Sequence, residues 1–415
     1  MTAASSTLAL TTAPANAVIG KDSNWPLWAA LPVAPYSRRK TIRRDAGPGV
    51  WMFDQLIGIY YVQVPIRMTV IKMSSGGLFI YAPVAPTKEC LALLQPLIDE
   101  YGPVRYIILP SVAVEHKINA GPFARAFPSA ELYVTSKQYA FPLNLPDAFL
   151  GLPSWTKRLP QSSQGLGDLW GGEFEHEVLD VKPGPGSEYQ DSAFFHRPSK
   201  TLLICDTIIA VTEEPPPILT SESEYTRALL FHARDEPLEL VADTSENRRK
   251  GWRRIVLLFN FFFPGAGVAD LGLKPLTKLG PYELGWAGWK PFSWKGEAVE
   301  KKSFDLYMGN GKPTVFPIIQ IILSRGNSGE ALKEWLDKVK QWDFERVIPA
   351  HLDAPLAIGP AEFEQAFGFL EKGKNEVRFC DDDVKALRQA EESFLNFSVF
   401  KTKLGVLRGQ ACDLS

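Results

Sequence analysis

The sequence is poor in cysteine and histidine and has no long apolar run. Its 415 residues include 5 His and 4 Cys, and the cysteines are far apart with no C-x-x-C pair. A disulfide scaffold and a cysteine-based zinc site are therefore not expected, and a reducing compartment fits best. No stretch reaches the ~20 apolar residues that a membrane-spanning helix needs, so a transmembrane span is not expected.

Neither sign of charge dominates the chain. The 45 basic and 47 acidic side chains leave a formal net charge of −2, which argues against nucleic acid as a partner. A hydrophobic fraction of 45% and an aromatic fraction of 12% are enough for a large buried core, which excludes a disordered protein. Phosphate-binding glycine loops, nucleophile elbows and zinc-finger spacings are also missing from the sequence.

The first twenty residues carry no charged side chain and are rich in Ser, Thr and Ala. Ala15-Asn16-Ala17 has the small-x-small form of a processing site, although the apolar run before it is short and lacks a basic leader. Two interpretations stay open, the remnant of an organelle-targeting segment and a free terminus. Residues 1–47 are therefore assigned to a flexible N-terminal tail.

A basic stretch with Trp252 leads into the apolar run 255–263. Basic residues and Trp before such a run are typical of a segment that lies on an anionic membrane. A buried helix with a charged first turn has the same pattern and is commoner, so we favour burial. Peripheral membrane contact through residues 252–263, or contact with a protein partner, is kept as the alternative.

Strand and helix patterns alternate along the rest of the chain, which predicts an α/β (α+β) protein of four layers with outer helices. Strands are predicted at residues 60–64, 68–73, 78–81, 104–109, 131–134, 174–181, 192–195, 201–205 and 345–348. Helices are predicted near residues 91–98, 116–127, 332–339 and 363–370, and from about 383 onward. Residues 211–313 look irregular, which is typical of an insertion or lid.

Three of these strands, at 104–109, 201–205 and 345–348, are followed by side chains that a metal ion accepts. Those side chains are Glu115, His116, Asp206 and His351. Because open α/β sheets collect their sites at the carboxyl ends of strands, we expect these residues to converge. Two carboxylates and two imidazoles suit Zn²⁺, Fe²⁺ or Mn²⁺. Each residue taken alone also has a structural interpretation, as a helix or turn cap or a hydrogen-bonded core histidine.

The motifs at these strand ends occur in a recognisable order. They are Ser111-x-Ala113-x-Glu115-His116, Cys205-Asp206-Thr207 and Ile348-Pro-Ala-His351. In this order the chain resembles the metallo-β-lactamase superfamily. More narrowly, through residues 57–67 and 342–351, it resembles a family of unknown function from plants, algae and cyanobacteria. The resemblance spans about residues 48–372.

The resemblance implies an αββα sandwich with a metal cleft at one edge. It divides the chain into a core of residues 48–210 and 314–372, an insertion or lid of residues 211–313 and a C-terminal helical extension of residues 373–415. Together with the Ser-, Thr- and Ala-rich start, it implies a plastid location, with the cytoplasm as the alternative.

The resemblance also implies a reduced metal motif. In the superfamily the first motif is His-x-His-x-Asp-His, and here Ser111 and Ala113 replace the two leading histidines, which serve the first metal site. The superfamily's middle histidine falls near residues 183–186 and is missing. The second metal site keeps a ligand type at every position: Glu115, His116, Asp206 and His351.

The predicted function is therefore that of a metallo-β-lactamase-like protein with one divalent ion, Zn or Fe. It would be a metal-dependent hydrolase of an unknown small-molecule ester, amide or phosphoester, with Asp206 and Glu115 as catalytic residues. The alternative is an inactive scaffold or binding protein of the same fold, associated with a membrane or a complex. In that case the four polar groups would form a hydrogen-bonded cluster with no ion.

Overall fold

In the computed structural model, the protein has two main sheets with helices outside them. The description covers residues 10–11, 40–59, 61–138, 146–164, 167, 169–184, 187–236, 239–269, 292–323, 328–370, 379–389 and 392–393.

Within these ranges the larger sheet contains eight strands that follow chain order. They are β1 (Leu10–Thr11), β2 (Ile42–Asp45), β3 (Val50–Ile59), β4 (Val62–Lys72), β5 (Leu78–Tyr81), β6 (Val104–Leu109), β7 (Glu131–Val134) and β8 (Lys157–Arg158). Neighbouring strands are antiparallel from β1 to β5 and parallel from β5 to β8. The β3–β4 pair is the longest of these ladders and runs from Val50↔Ile71 to Ile59↔Val62.

The second sheet has the strand order β14-β11-β10-β9, and β12 and β13 form a separate two-stranded antiparallel sheet. The remaining strands are β9 (Phe174–Gly184), β10 (Ser187–His196), β11 (Thr201–Ile204), β12 (Gly267–Ala269), β13 (Phe292–Trp294) and β14 (Arg346–Pro349). The β11–β14 pair is parallel, with Ile204 opposite Pro349, so both strands have their carboxyl ends at the same edge.

Helices cover the outer faces of the two sheets. They are α1 (Lys88–Tyr101), α2 (Val114–Ala126), α3 (Pro217–Thr220), α4 (Ser223–Ala233), α5 (Ser245–Phe261), α6 (Glu297–Met308), α7 (Pro317–Leu323), α8 (Ser328–Val339) and α9 (Pro360–Gln365). Thr87 caps α1 by accepting a hydrogen bond from the backbone N–H of Cys90, and Thr244 caps α5 in the same way. The helix predicted from about residue 383 is observed over 381–389, and residues 394–415 lie outside the described part.

The strand β3 shows how the layers form. Its side chains alternate, so that Val50 and Met52 face the space between the sheets, whereas Trp51 and Phe53 face the helices. Between the sheets lie Ile71, Phe79, Phe194, Leu203 and Ile348. Under the helices lie Leu93, Leu94 and Leu97 of α1 and Leu332, Trp335 and Leu336 of α8. The predicted αββα sandwich is therefore confirmed.

The prediction that residues 211–313 are irregular is wrong for the described part, which contains α3 to α6. The proline and tryptophan residues obscured the helical period in the sequence. The stretch 252–263 lies mostly in α5, where Trp252 and Phe261 are buried, as the burial interpretation predicts. Only Phe262 and Phe263, just beyond the helix, are exposed. None of the helices in the described ranges combines the length and apolarity that a bilayer span requires.

Gly251 allows α4 and α5 to pack closely. A Cβ atom at this position would overlap the backbone carbonyl oxygen of Leu229 in α4. We expect Gly251→Ala to lower the free energy of unfolding by about 1–3 kcal/mol, because the helices must move apart. Gly329→Ala in α8 is the control, since its nearest neighbour would be 3.7 Å away, and it should be neutral or slightly stabilising. Equal effects in urea denaturation would contradict this prediction.

Candidate metal centre

The ends of three strands bring three of the predicted residues together. His116 follows β6 in the first turn of α2, whereas Asp206 and His351 each lie two residues beyond the paired ends of β11 and β14. The Nε2 atoms of His116 and His351 are 3.0 Å apart, and Oδ1 of Asp206 lies 3.2 Å from each of them. All three side chains are buried. Residues far apart in sequence thus direct three ligand-type atoms to one point.

The orientation of His351 is fixed by a backbone carbonyl. Its Nδ1 lies 2.9 Å from the carbonyl oxygen of Pro65 in β4, so Nδ1 carries the proton that it donates. In the neutral ring Nε2 then has a lone pair, and this lone pair faces Oδ1 of Asp206, which also only accepts. Two facing acceptors need a cation or a shared proton between them. The Nε2 of His116, which lies 3.0 Å from Nε2 of His351 and 3.2 Å from Oδ1 of Asp206, could supply such a proton.

The second oxygen of Asp206 has its own donor. The hydroxyl of Ser111 donates to Oδ2 of Asp206 at 2.6 Å, and the backbone N–H of Ala113 donates to that hydroxyl at 3.1 Å. Ser111 and Ala113 are the residues that, by the resemblance, replace the two leading histidines of the superfamily motif. A hydroxyl therefore satisfies the carboxylate oxygen that would otherwise be free to reach a second ion.

The charges of this group depend strongly on burial. Burial opposes the ionisation of Asp206, but the charges and hydrogen bonds of His116 and His351 hold the pKa of its carboxyl well below the usual range. Burial also disfavours the charged form of His116, but the Asp206 carboxylate outweighs it and raises the pKa of His116. The site thus favours an ionised carboxylate beside imidazoles.

Glu115 and Cys205 lie at the edge of this group. A carboxylate oxygen of Glu115 is within 4.8 Å of ligand atoms of Asp206 and His351, and Sγ of Cys205 is within the same distance of ligand atoms of His116 and Asp206. Glu115 is half-buried, whereas Cys205 is fully buried. Burial, together with the neighbouring carboxylates, raises the pKa of the Cys205 thiol well above its usual value. Cys205 was not predicted as a ligand, because it has no partner cysteine at a metal-binding spacing.

Most of the chain matches a known family. Residues 48–369 match the model of the family described as Domain of unknown function (DUF4336). The chain belongs to this family. The match covers nearly the same residues as the predicted resemblance, and it includes all the candidate ligands of this DUF4336 protein. A comparison with curated proteins found no match.

Solved structures similar to this DUF4336 protein include metallo-β-lactamases, as the resemblance predicts. The DIM-1 metallo-β-lactamase exposed to ceftazidime is 9% identical over 79% of this chain and 95% of its own, with a TM-score of 0.38. TMB-1 is 11% identical over 81% and 99%, with a TM-score of 0.40. The metal-soaked Flv1 flavodiiron core from Synechocystis sp. PCC6803 is 10% identical over 80% and 61%, with a TM-score of 0.37. The sandwich assignment itself depends on the layers of this chain.

Asp191 in β10 is a further residue of the site of this DUF4336 protein, and sequence analysis missed it. Its Oδ2 accepts hydrogen bonds from the backbone N–H groups of Asp206 and Thr207, at 2.9 and 2.7 Å, and from the Thr207 hydroxyl. Its backbone forms an isolated bridge with Ser111. Burial, with the charge of Asp206, raises the pKa of Asp191 to about 6. Nothing in the sequence distinguishes Asp191 from the polar residues beside it.

The separations among the three central atoms fit a single divalent ion. Metal–nitrogen and metal–oxygen bonds are about 2.0–2.2 Å long, so two ligands of one ion lie at most about 4 Å apart. The observed separations of 3.0 and 3.2 Å meet this condition. Two imidazoles and a carboxylate also suit Zn²⁺ or Fe²⁺. The three central atoms in this DUF4336 protein thus fit one ion, and a carboxylate oxygen of Glu115 lies within 4.8 Å of ligand atoms of Asp206 and His351.

Proposed function

We propose that this protein is a metal-dependent hydrolase with one divalent ion held by His116, Asp206 and His351, and with Glu115 as an additional ligand. The observation that supports it most is the convergence of Nε2 of His116, Nε2 of His351 and Oδ1 of Asp206, which lie 3.0–3.2 Å from one another. A cation among these three buried atoms would form a coordinate bond with each of them.

The chain's own residues would orient this site for hydrolysis. A bound divalent ion supplies a water of lowered pKa and polarises an ester, amide or phosphoester bond. The Ser111 hydroxyl fixes the rotation of the Asp206 carboxylate, and the Pro65 carbonyl fixes the ring of His351. Glu115 is the least buried of the four candidate ligands, so its carboxylate would be the one that meets a substrate.

The second candidate is a binding or scaffold protein of the same fold without catalysis. Two observations favour it. His116 and His351 are 0% and 2% exposed, and by the resemblance Ser111 and Ala113 replace the two histidines that would serve a first metal site. A proton on Nε2 of His116 would then be shared between His351 and Asp206, and this hydrogen-bonded cluster needs no ion.

Metal analysis of the protein purified without chelator tests the proposal. We expect about one equivalent of Zn or Fe per chain, because the candidate ligands converge on one point. His116→Ala and His351→Ala should each abolish this binding, because each removes one of three converging ligand atoms. A wild-type protein that stays metal-free after incubation with Zn²⁺ and Fe²⁺ would support the scaffold candidate.

His196→Ala is the matched control for these variants. Like His116, His196 is buried and hydrogen-bonded to a carboxylate, that of Glu173. It lies at the opposite end of the sheet from the site, because it pairs with Thr201 at the start of β11, whereas Asp206 follows the end of β11. This variant should keep its metal. Hydrolysis of ester, amide and phosphoester substrates by the metal-loaded wild type, lost in His351→Ala, would separate the enzyme from a metal-binding scaffold.

A further inference from the structure

The loop that carries His351 is held by a buried arginine of β4. The Nη1 atom of Arg67 donates to the carbonyl oxygen of Pro349 at 2.6 Å, and its Nη2 donates to that of Leu352 at 2.9 Å. These carbonyls lie on either side of His351. The backbone N–H of Arg67 also donates to the carbonyl oxygen of Ala350 at 2.8 Å. One residue therefore fixes the backbone before and after the histidine.

The shape of the loop requires such a contact. Leu352, directly after His351, has a φ of 57°, in the left-handed region that a leucine rarely adopts. A guanidinium group presents two parallel donors in a rigid plane, so Arg67 can hold two carbonyls at a fixed distance. A lysine ammonium at the same place would be a single point charge on a flexible stem.

A buried counter-charge fixes the arginine in turn. Oδ1 of Asp54 lies 2.7 Å from Nε of Arg67, and Oδ2 of Asp54 accepts a hydrogen bond from Nε of Arg44 at 2.8 Å. Arg44 donates to the carbonyl oxygen of Ala354, further along the same loop, at 2.9 Å. The charged group of Arg44, Asp54 and Arg67 thus supports the loop from residue 349 to residue 354.

We infer that Arg67 is a positioning residue that sets the metal affinity of the site by holding His351, an inference that rests on the proposed metal site. The same strand contributes the Pro65 carbonyl that accepts the proton of His351 Nδ1, so β4 fixes both the ring and the backbone of this residue. Arg67 itself contacts no ligand atom. Groups that orient a metal ligand typically change metal affinity by about 10–100-fold when they are replaced.

Arg67→Lys tests this inference because it keeps the charge opposite Asp54 and removes only the paired donors. We expect the Kd for Zn²⁺, measured in a competition assay with a chromophoric chelator, to rise about 10–100-fold. Arg254→Lys is the matched control. Arg254 is equally buried and donates to Glu300 and to two backbone carbonyls, those of His232 and Arg234, which lie outside the His351 loop.

The control variant should lose stability without a change in Zn²⁺ affinity. If Arg254→Lys weakens Zn²⁺ binding as much as Arg67→Lys, the effect is one of general stability and the inference is wrong. It is also wrong if Arg67→Lys binds Zn²⁺ as tightly as the wild type.

A readout without metal separates this inference from the proposed function. The chain has 5 histidines, so ¹⁵N NMR of the imidazole nitrogens can be assigned with single variants. In the metal-free wild type we expect His351 to be the tautomer with a protonated Nδ1, and in Arg67→Lys we expect a mixture of both tautomers. An unchanged tautomer in Arg67→Lys would overturn the positioning role. A wild type that binds no metal would overturn the proposed function and the effect on metal affinity, whereas the tautomer of His351 would still show whether Arg67 positions this residue.

Discussion

Replacement of Asp54 by Asn is expected to lower the free energy of unfolding by about 3–5 kcal/mol. Asp54 is 2% exposed and lies between the guanidinium groups of Arg44 and Arg67, which are also buried. Asparagine keeps the shape of the side chain but removes the carboxylate charge that pairs directly with both buried guanidinium groups. The effect can be measured by urea denaturation of the two proteins.

The same substitution at an exposed ion pair is the control. Asp243 forms two hydrogen bonds with Arg248, at 2.6 and 2.8 Å, but these side chains are 46% and 31% exposed. Water replaces a lost partner at such a site, so Asp243→Asn should cost less than about 1 kcal/mol. If Asp54→Asn and Asp243→Asn lowered the free energy of unfolding by the same amount, burial would not be the reason for the predicted effect at Asp54.

The effect at Asp54 should also depend on pH. Burial opposes the ionisation of Asp54, but the charges of Arg44 and Arg67 outweigh it and hold the pKa of the carboxyl below its usual value. A folded-state pKa below the unfolded one means that the stabilisation is fully present above the unfolded pKa of about 3.9 and is lost as the pH falls through the folded value. The difference between wild type and Asp54→Asn should therefore shrink in acid below about pH 4.

Buried parallel strands were the part of the fold that the sequence predicted best. The strand Val104–Leu109 has the predicted bounds, because a strand covered on both faces reads as a continuous apolar run. The strand β10 was predicted only at 192–195, but it starts at Ser187. Its first half is polar and is held in the sheet by pairing with β9, a tertiary contact that a local pattern does not contain.

The candidate site was predictable for a different reason. His116, Asp206 and His351 follow strand ends, and the parallel register of β11 and β14 brings two of those ends to the same edge. The groups that orient these side chains could not be found in this way. The Pro65 carbonyl and Arg67 act through backbone contacts between distant segments, and no spacing in the sequence marks them.

Asp191→Ala is the second variant for which we expect a large effect. The Asp191 carboxylate accepts hydrogen bonds from the backbone N–H groups of Asp206 and Thr207 and from the Thr207 hydroxyl, all in the buried interior. Alanine would leave these donors unpaired, and each buried donor without an acceptor costs about 1–3 kcal/mol. We therefore expect the free energy of unfolding to fall by about 3 kcal/mol or more in urea denaturation.

Asp180→Ala, on the neighbouring strand β9, is the control for this variant. Asp180 pairs with Lys137 near the surface, where the two side chains are 24% and 32% exposed, so its loss should cost no more than about 1 kcal/mol. Asp191→Asn should fall between the two alanine variants, because the amide keeps one acceptor oxygen for four donors that the carboxylate shares between two oxygens.

Asp191 should also affect metal affinity, because it joins two segments of the proposed site. Its side chain holds the turn that carries Asp206, and its backbone bridges to Ser111, whose hydroxyl bonds the other oxygen of Asp206. Without this carboxylate, the turn that carries Asp206 and the Ser111 hydroxyl that bonds Asp206 can both shift. The Zn²⁺ affinity should therefore fall about 10–100-fold. If Asp191→Ala is destabilised but binds Zn²⁺ as tightly as Asp180→Ala, then Asp191 supports the sheet and not the site.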